Sequence, residues 1–94
     1  MIKYREDSEI DYIRLIDMIS QCGRDDMSTD YKELYKTVNN SMRVVTAWDF
    51  DYMIGFANIV KAPECDKEVK HILVDKEYSG LGIEEKLEDM LAIG

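Results

Sequence analysis

The chain has 94 residues, 46% of them apolar, which is the size and composition of one small globular domain. Its 20 acidic and 12 basic side chains give a formal charge of −8. That balance argues against a protein that wraps nucleic acid or lies on an anionic membrane, because both need a basic surface. The apolar runs are far shorter than the ~20 residues that cross a bilayer, so we expect residues 1–94 to form a single soluble domain.

Cysteine usage favours a reducing compartment. Cys22 and Cys65 lie far apart without CxxC spacing, so one disulfide is possible, but two free thiols in the cytoplasm are the expected state. The first residues contain no apolar segment of a secretory signal, which agrees with a cytoplasmic location. A single histidine and no Cys/His cluster predict no metal site.

The N-terminal segment predicts a strand followed by a helix. Residues 2–6 are the strand, and Asp7 or Ser8 can accept hydrogen bonds from the unpaired N–H groups of the first helical turn. The helix is expected to run to about Gln21 and to stop at Gly23. Its apolar stripe follows the spacing i, i+3, i+4, i+7: Tyr12, Leu15, Ile16 and Ile19.

A second helix is predicted at about residues 30–40. Ser28, Thr29 or Asp30 can cap its N-terminus. Its stripe has the same spacing: Tyr31, Leu34, Tyr35 and Val38. Aromatic residues at helical spacing are usually core, so Tyr12, Tyr31 and Tyr35 are expected to lie there together with Trp48.

The second half is rich in β-strand residues. Segments 42–48 and 53–61, joined by a short acidic loop, predict an antiparallel hairpin. The second of these is apolar almost throughout, as expected of a central strand covered on both faces, and Gly55 within it predicts a bulge or a close neighbour. A loop with the only proline, Pro63, leads to a fourth strand at 68–74, and a third helix starts near Ile83.

The predicted order is therefore β-α-α-β-β-β-α. Each helix carries a single apolar stripe, and a four-stranded sheet supplies the surface that all three stripes need to cover. We expect an α+β domain with a mainly antiparallel four-stranded sheet.

The turn between the fourth strand and the third helix is the segment that suggests chemistry. Gly80 and Gly82 permit positive φ and close approach of a ligand, and the N-terminus of the following helix adds a partial positive charge. Backbone N–H groups in such a turn bind phosphate. Taken alone, a Gly-x-Gly spacing more often marks a simple connection with a helix cap.

The chain resembles the N-terminal part of the GNAT family of acyl-CoA-dependent N-acyltransferases. The resemblance rests on the element order, on Ile-Gly-Phe-Ala at 54–57, on Ile-Leu-Val at 72–74, and on Tyr-Ser-Gly-Leu-Gly-Ile-Glu at 78–84, which is similar to the family's pyrophosphate loop. It implies transfer of an acetyl group from acetyl-CoA to a primary amine. It also implies a set of cofactor-binding residues: Leu73 and Val74 for the thioester, and Ser79, Gly80, Leu81, Gly82, Ile83 and Glu84 for the pyrophosphate.

The resemblance also implies a catalytic base on the fourth strand, at Glu68 or His71. It further implies an acceptor site bordered by the first two helices, which Tyr12, Tyr31, Tyr35 and Trp48 are candidates to line. The alternative for Glu68 is a solvated charge at the start of the strand, and for His71 a half-exposed strand residue. The acidic surface fits a small-molecule or lysine-type amine acceptor, and it fits simple solubility equally well.

Departures from the family's pattern support a second hypothesis. Glu77, Ser79 and Glu84 replace residues that favour phosphate, and the segment from 75 to 94 holds six acidic and two basic residues, so weak binding of CoA is expected. Residues 1–94 are expected to contain no counterpart of the family's fifth strand or of the tyrosine that usually protonates the leaving group, as in a short member of the family, a fragment of a longer chain or one half of an assembly. The alternative is a non-catalytic module on the same scaffold. With no fifth strand beside it, the edge of the fourth strand is predicted to pair with another chain, most simply in a homodimer.

Overall fold

A computed structural model of the chain describes residues 2–6, 9–23, 27–61 and 67–92. These residues form an α+β domain in the predicted order, with a short 3-10 helix, Lys76–Tyr78, before the last helix. The elements are β1 (Ile2–Glu6), α1 (Tyr12–Cys22), α2 (Tyr31–Asn39), β2 (Arg43–Asp49), β3 (Tyr52–Lys61), β4 (Glu68–Val74) and α3 (Ile83–Ala92). The predicted fold class and element order are confirmed.

The sheet has the order β1-β2-β3-β4, and every neighbouring pair is antiparallel. Helices α1 and α2 cover one face and α3 covers the other, so β3 is buried continuously from Met53 to Ile59, as its apolar sequence predicts. β4 is an edge strand of this sheet. The pairing of its outer edge with another chain stays a prediction.

Two cores result from this layering. Side chains packed between the sheet and α1/α2 include Leu15, Met18, Ile19, Leu34, Trp48, Phe56 and Leu73. Side chains packed between the sheet and α3 include Val45, Ile54, Ala57, Ile83, Leu87 and Leu91. Because residues alternate along β4, its odd-numbered positions face α1/α2 and its even-numbered positions face α3.

Gly55 has both features that its sequence position predicts. The register shifts from Ala47 opposite Gly55 to Trp48 opposite Met53, so β3 has one extra residue at this point. A Cβ at Gly55 would lie 3.1 Å from the Cβ of Ala47 and 3.2 Å from Leu87 Cδ1. Glycine therefore lets α3 pack closely against the centre of the sheet.

The N-cap of α1 differs from the sequence prediction. Asp11 is the N-cap, and its side chain accepts from the N–H of Arg14. The predicted caps Asp7 and Ser8 lie outside the described residues. Gly23, with φ of 61°, ends α1 as predicted, and Asp30 caps α2.

The aromatic residues divide between core and surface. Trp48 is buried, as the core interpretation predicts, whereas Tyr31 and Tyr35 are 53% and 49% exposed and are not core residues. The apolar stripe of α2 is wider than the surface that α1 and the sheet cover. In the described chain no helix is long and apolar enough to span a membrane.

Cys22 is a free thiol, and its Sγ lies 3.7 Å from the carbonyl oxygen of Val74. Cys65 and Pro63 lie outside the described residues. No group of histidine, cysteine and acidic side chains that could hold a metal ion occurs in the ranges that the structure covers.

Candidate functional site

The turn between β4 and α3, residues 75–82, has the backbone geometry that its glycines predict. Gly80 and Gly82 have φ of 80° and 79°, and a Cβ at either position would meet nothing within 4 Å. The N–H groups from Gly80 to Glu84 have no hydrogen-bond acceptor among the described residues. The N–H of Ser79 instead donates to the carbonyl of Lys76 at 3.3 Å, so it is used within the turn.

A small pocket of about 200 Å³ opens on this turn. Its walls are formed by Val74, Tyr78, Ser79, Gly80, Gly82, Ile83, Glu84 and Glu85. None of these residues is cationic, and the two glutamates belong to the first turn of α3. An anion bound here would be held by backbone N–H groups and by the helix dipole, against the repulsion of two carboxylates.

A buried ion pair fixes the start of this turn to α1 and β3. The Arg14 guanidinium donates from Nη2 to Asp75 Oδ2 at 2.5 Å and from Nε to the carbonyl of Met53 at 3.1 Å. Asp75 Oδ1 in turn accepts from the N–H of Glu77 at 2.9 Å. The guanidinium also lies 4.0 Å from the centre of the Tyr52 ring. The position of the turn therefore depends on one arginine from a distant helix.

Tyr78 makes a second tie between the turn and the sheet. Its hydroxyl donates to Asp49 Oδ2, at the end of β2, at 2.7 Å. This hydrogen bond raises the pKa of Tyr78 above its usual value of 10.0, and partial burial and nearby carboxylates add to the effect. Tyr78 is thus held protonated as a donor.

The two predicted bases lie on opposite faces of the sheet. His71 is buried on the α1/α2 face, and Glu68 is exposed on the α3 face. Glu68 borders a separate cleft of about 740 Å³ together with Lys70 and Arg43. The structure does not bring the two candidates together, so they cannot act on one amine.

A directed chain of hydrogen bonds runs from His71 toward α2. His71 Nδ1 lies 3.0 Å from Asn58 Oδ1, Asn58 Nδ2 donates to Ser41 Oγ at 3.0 Å, and Ser41 Oγ donates to the carbonyl of Thr37 at 2.9 Å. Since the amide oxygen of Asn58 can only accept, His71 donates to it from Nδ1. Asn58 is fully buried, so its amide needs these hydrogen-bond partners.

Another cleft, which we call the tyrosine cleft, lies on the α1/α2 face of the sheet. It has a volume of about 530 Å³ and is lined by Glu9, Ile10, Tyr12, Tyr31, Val38, Asn39, Ser41 and Val44. The Tyr12 ring lies 5.3 Å from the Tyr31 ring and 5.6 Å from the Tyr35 ring, centre to centre. Burial, followed by the neighbouring Tyr35 and Tyr31 phenols, raises the pKa of Tyr12.

Sequence reasoning did not identify Arg14 or Asn58. Arg14 lies beside the apolar stripe of α1, and its partner Asp75 is 61 positions away, so no local pattern joins them. A polar Asn58 inside the otherwise apolar β3 was a usable signal, because a buried amide needs partners.

Solved structures establish the fold. A GNAT-family acetyltransferase from Streptococcus pneumoniae matches with a TM-score of 0.73 at 16% identity, over 96% of this chain and 64% of that chain. A diaminobutyrate acetyltransferase from Paenibacillus lautus, in complex with L-2,4-diaminobutyric acid and coenzyme A, matches with a TM-score of 0.73 at 18% identity, over 97% and 56%. A ribosomal-protein-alanine N-acetyltransferase from Brucella melitensis matches with a TM-score of 0.66 at 18% identity, over 98% and 70%.

The chain therefore has the fold of the GNAT acetyltransferases, which confirms the resemblance found in the sequence. It spans less than two thirds of the length of the first two of these proteins. No protein-family model matches the chain, and no curated protein matches its sequence.

Proposed function

We propose that the chain is an N-acetyltransferase domain that transfers an acetyl group from acetyl-CoA to a primary amine of a small molecule or a lysine side chain. The observation that carries the proposal is the β4–α3 turn, where the N–H groups of residues 80–84 lack acceptors in the described chain beside a pocket at a helix N-terminus. Unsatisfied N–H groups at a helix start are the feature that binds a pyrophosphate. One solved structure with this fold contains coenzyme A, which supports acetyl-CoA as the molecule that carries this pyrophosphate.

The reaction asks three things of this chain. Backbone groups at Leu73 and Val74, at the end of β4, orient the thioester and polarise its carbonyl. The acceptor attacks as the neutral amine after its ammonium group has lost one proton to solvent, and His71 takes the second proton as the nitrogen–carbon bond forms. The carbon–sulfur bond breaks in the same transfer, and the CoA thiolate takes up the proton that His71 accepted.

A second candidate function is a non-catalytic interaction module that no longer binds CoA productively. One observation favours it: Glu84 and Glu85 line the pocket, with no cationic side chain among the lining residues. The two functions differ in whether the turn binds acetyl-CoA, which is directly measurable.

The test is a titration of the ¹⁵N-labelled chain with acetyl-CoA, following the backbone amides of residues 79–84. We expect the amides from Gly80 to Glu84 to shift more than that of Ser79. The variant Gly80→Ala should bind about ten-fold more weakly, since a non-glycine residue at positive φ costs about 1–2 kcal/mol in the conformation that presents these N–H groups.

Gly23→Ala is the matched control. Gly23 has a similar φ of 61° and equally open surroundings, but it lies at the end of α1. The variant Gly23→Ala should lose about as much stability as Gly80→Ala and keep the wild-type affinity for acetyl-CoA. Equal affinity of wild type and Gly80→Ala, or no shift at residues 80–84, would decide for the non-catalytic module.

A further inference from the structure

The face of the sheet that α3 covers is left open at one end. α3 has 10 residues and is about 15 Å long, whereas the 10 residues of β3 extend over about 33 Å. The helix therefore ends before the sheet does. The cleft of about 740 Å³ that Glu68 borders lies beside the last residues of the helix, Leu91 and Ala92. We call this cleft the α3-face groove.

The register of the strands sets the floor and the sides of the groove. Arg43 on β2 lies opposite Ile59 on β3, and Ile59 lies opposite Lys70 on β4. Neighbouring strands are about 4.8 Å apart, so the buried Ile59 lies between two basic residues whose backbones are about 10 Å apart. The exposed Met42 adds apolar surface to the same groove. An apolar floor is thus combined with charged sides.

Two of the charged side chains are paired and two are not. The Arg43 guanidinium donates to the carboxylate of Glu6. Lys70 and Glu68 are exposed, and neither side chain makes a hydrogen bond or ion pair with any residue that the structure describes. They lie two positions apart on the same face of β4, about 7 Å along the strand. In a chain with a formal charge of −8, the groove therefore presents one unpaired cation beside one unpaired anion.

A ligand with one positive and one negative group satisfies both side chains. The Lys70 ammonium donates to a carboxylate, and the Glu68 carboxylate accepts from an ammonium group. A ligand with a single charge would leave one of the two side chains unpaired and would be repelled by it. The volume of about 740 Å³ falls within the ~300–1,000 Å³ that is usual for small-molecule sites.

We propose that the α3-face groove binds a zwitterionic α-amino acid with an unbranched aliphatic side chain. Lys70 pairs with its carboxylate, Glu68 pairs with its ammonium group, and Ile59 and Met42 contact its side chain. The ligand is not the acetyl acceptor, because the groove and His71 lie on opposite faces of the sheet. The site does not depend on the proposed acetyltransferase function.

The test is a titration of the ¹⁵N-labelled chain with L-norleucine and with two molecules that each lack one of its charged groups. Pentylamine lacks the carboxylate, and hexanoate lacks the ammonium group. Salt at about 0.15 M screens the net charge of the protein, so that this charge does not decide the comparison. We expect norleucine to shift the backbone amides of Ile59, Lys70 and Leu91. It should bind about three-fold more tightly than either analogue, the contribution of one exposed ion pair.

Three results of this titration would overturn the proposal. They are equal or tighter binding of either analogue, shifts confined to residues outside the groove, and no shift with norleucine.

Single variants assign the two charges. Lys70→Gln should abolish the preference for norleucine over pentylamine, and Glu68→Gln should abolish the preference over hexanoate. Lys36→Gln and Glu33→Gln, on α2 at the other face of the sheet, are the matched controls and should keep both preferences. All four side chains are exposed, so the fold is expected to persist. An unchanged preference in either groove variant would contradict the proposed pairing.

Met42 tests the contact with the aliphatic side chain of the ligand. Met42→Ala should weaken the binding of norleucine about three-fold, and Met42→Leu should restore it because its volume is similar. The weaker binding of L-alanine, whose side chain is a single methyl group, should be the same in wild type and Met42→Ala. Equal losses for the two amino acids would show that Met42 does not contact the ligand's side chain.

The acetyl-CoA titration separates this proposal from the proposed function. Norleucine-selective shifts in the groove without any response to acetyl-CoA would support the amino-acid site and reject the acetyltransferase function. Shifts at residues 80–84 with acetyl-CoA, but none in the groove with norleucine, would overturn the amino-acid site and leave the acetyltransferase function standing.

Discussion

The β4–α3 turn and the tyrosine cleft are built in different ways. The turn presents main-chain N–H groups from one continuous segment, with two glycines at positive φ. The walls of the tyrosine cleft are side chains from α1, α2 and β2 and from the residues beside them. A backbone site depends on conformation and tolerates changes of side chain, whereas a site made of side chains can change its ligand through single substitutions.

The Arg14–Asp75 pair tests whether the turn depends on the core beneath it. Asp75→Ala should lower the free energy of unfolding by about 3 kcal/mol, because it leaves the buried Arg14 without its buried partner. Asp17 is the control: it also pairs with Arg14, at 2.7 Å, but its side chain is 53% exposed. Asp17→Ala should cost less than about 1 kcal/mol. Urea unfolding measures both, and equal losses would show that the Asp75 pair does not anchor the turn.

Variants of the two predicted bases test on which face of the sheet acetyl transfer takes place. His71→Gln should lower kcat for acetyl transfer to pentylamine by about a hundred-fold, the lower range for loss of a general base, with little change in KM. Glu68→Gln should leave kcat unchanged, because Glu68 lies on the α3 face. A larger loss in Glu68→Gln would show that acetyl transfer takes place on the α3 face of the sheet.

The sequence predicts the turn better than the cleft for a physical reason. The bounds of β4 and the start of α3 agree with prediction, and the glycine spacing marks the turn, because local backbone preferences decide all three. The cleft depends on how α1 and α2 pack. A helical stripe cannot distinguish the buried Leu34 from the half-exposed Tyr31 three residues earlier. The sequence does not predict the Arg14–Asp75 pair either, because the two residues lie on distant segments of the chain.

Variants of the carboxylates at the turn test how strongly negative charge opposes the binding of acetyl-CoA there. Glu84→Gln should tighten acetyl-CoA binding about three-fold, because Glu84 lines the pocket, and Glu77→Gln should have a smaller effect because Glu77 does not. Both gains in acetyl-CoA affinity should be smaller at high salt, because the two carboxylates are exposed and salt screens their charge. Calorimetry at two salt concentrations measures this. Weaker binding in Glu84→Gln would mean that the carboxylate takes part in binding.

The smallest expected effect concerns the hydrogen bond from Tyr78 to Asp49 and its dependence on pH. This bond raises the pKa of Tyr78 in the folded chain above the value of 10.0 that a free tyrosine has. Above pH 10 the unfolded chain therefore loses the Tyr78 proton before the folded chain does. The resulting stability is fully present below pH 10 and is lost as the pH rises through the folded pKa. Tyr78→Phe should therefore lose less stability than wild type between pH 9 and pH 11. Urea unfolding at both pH values measures the difference. Identical losses in the two proteins would show that the bond does not hold the turn to β2 in solution.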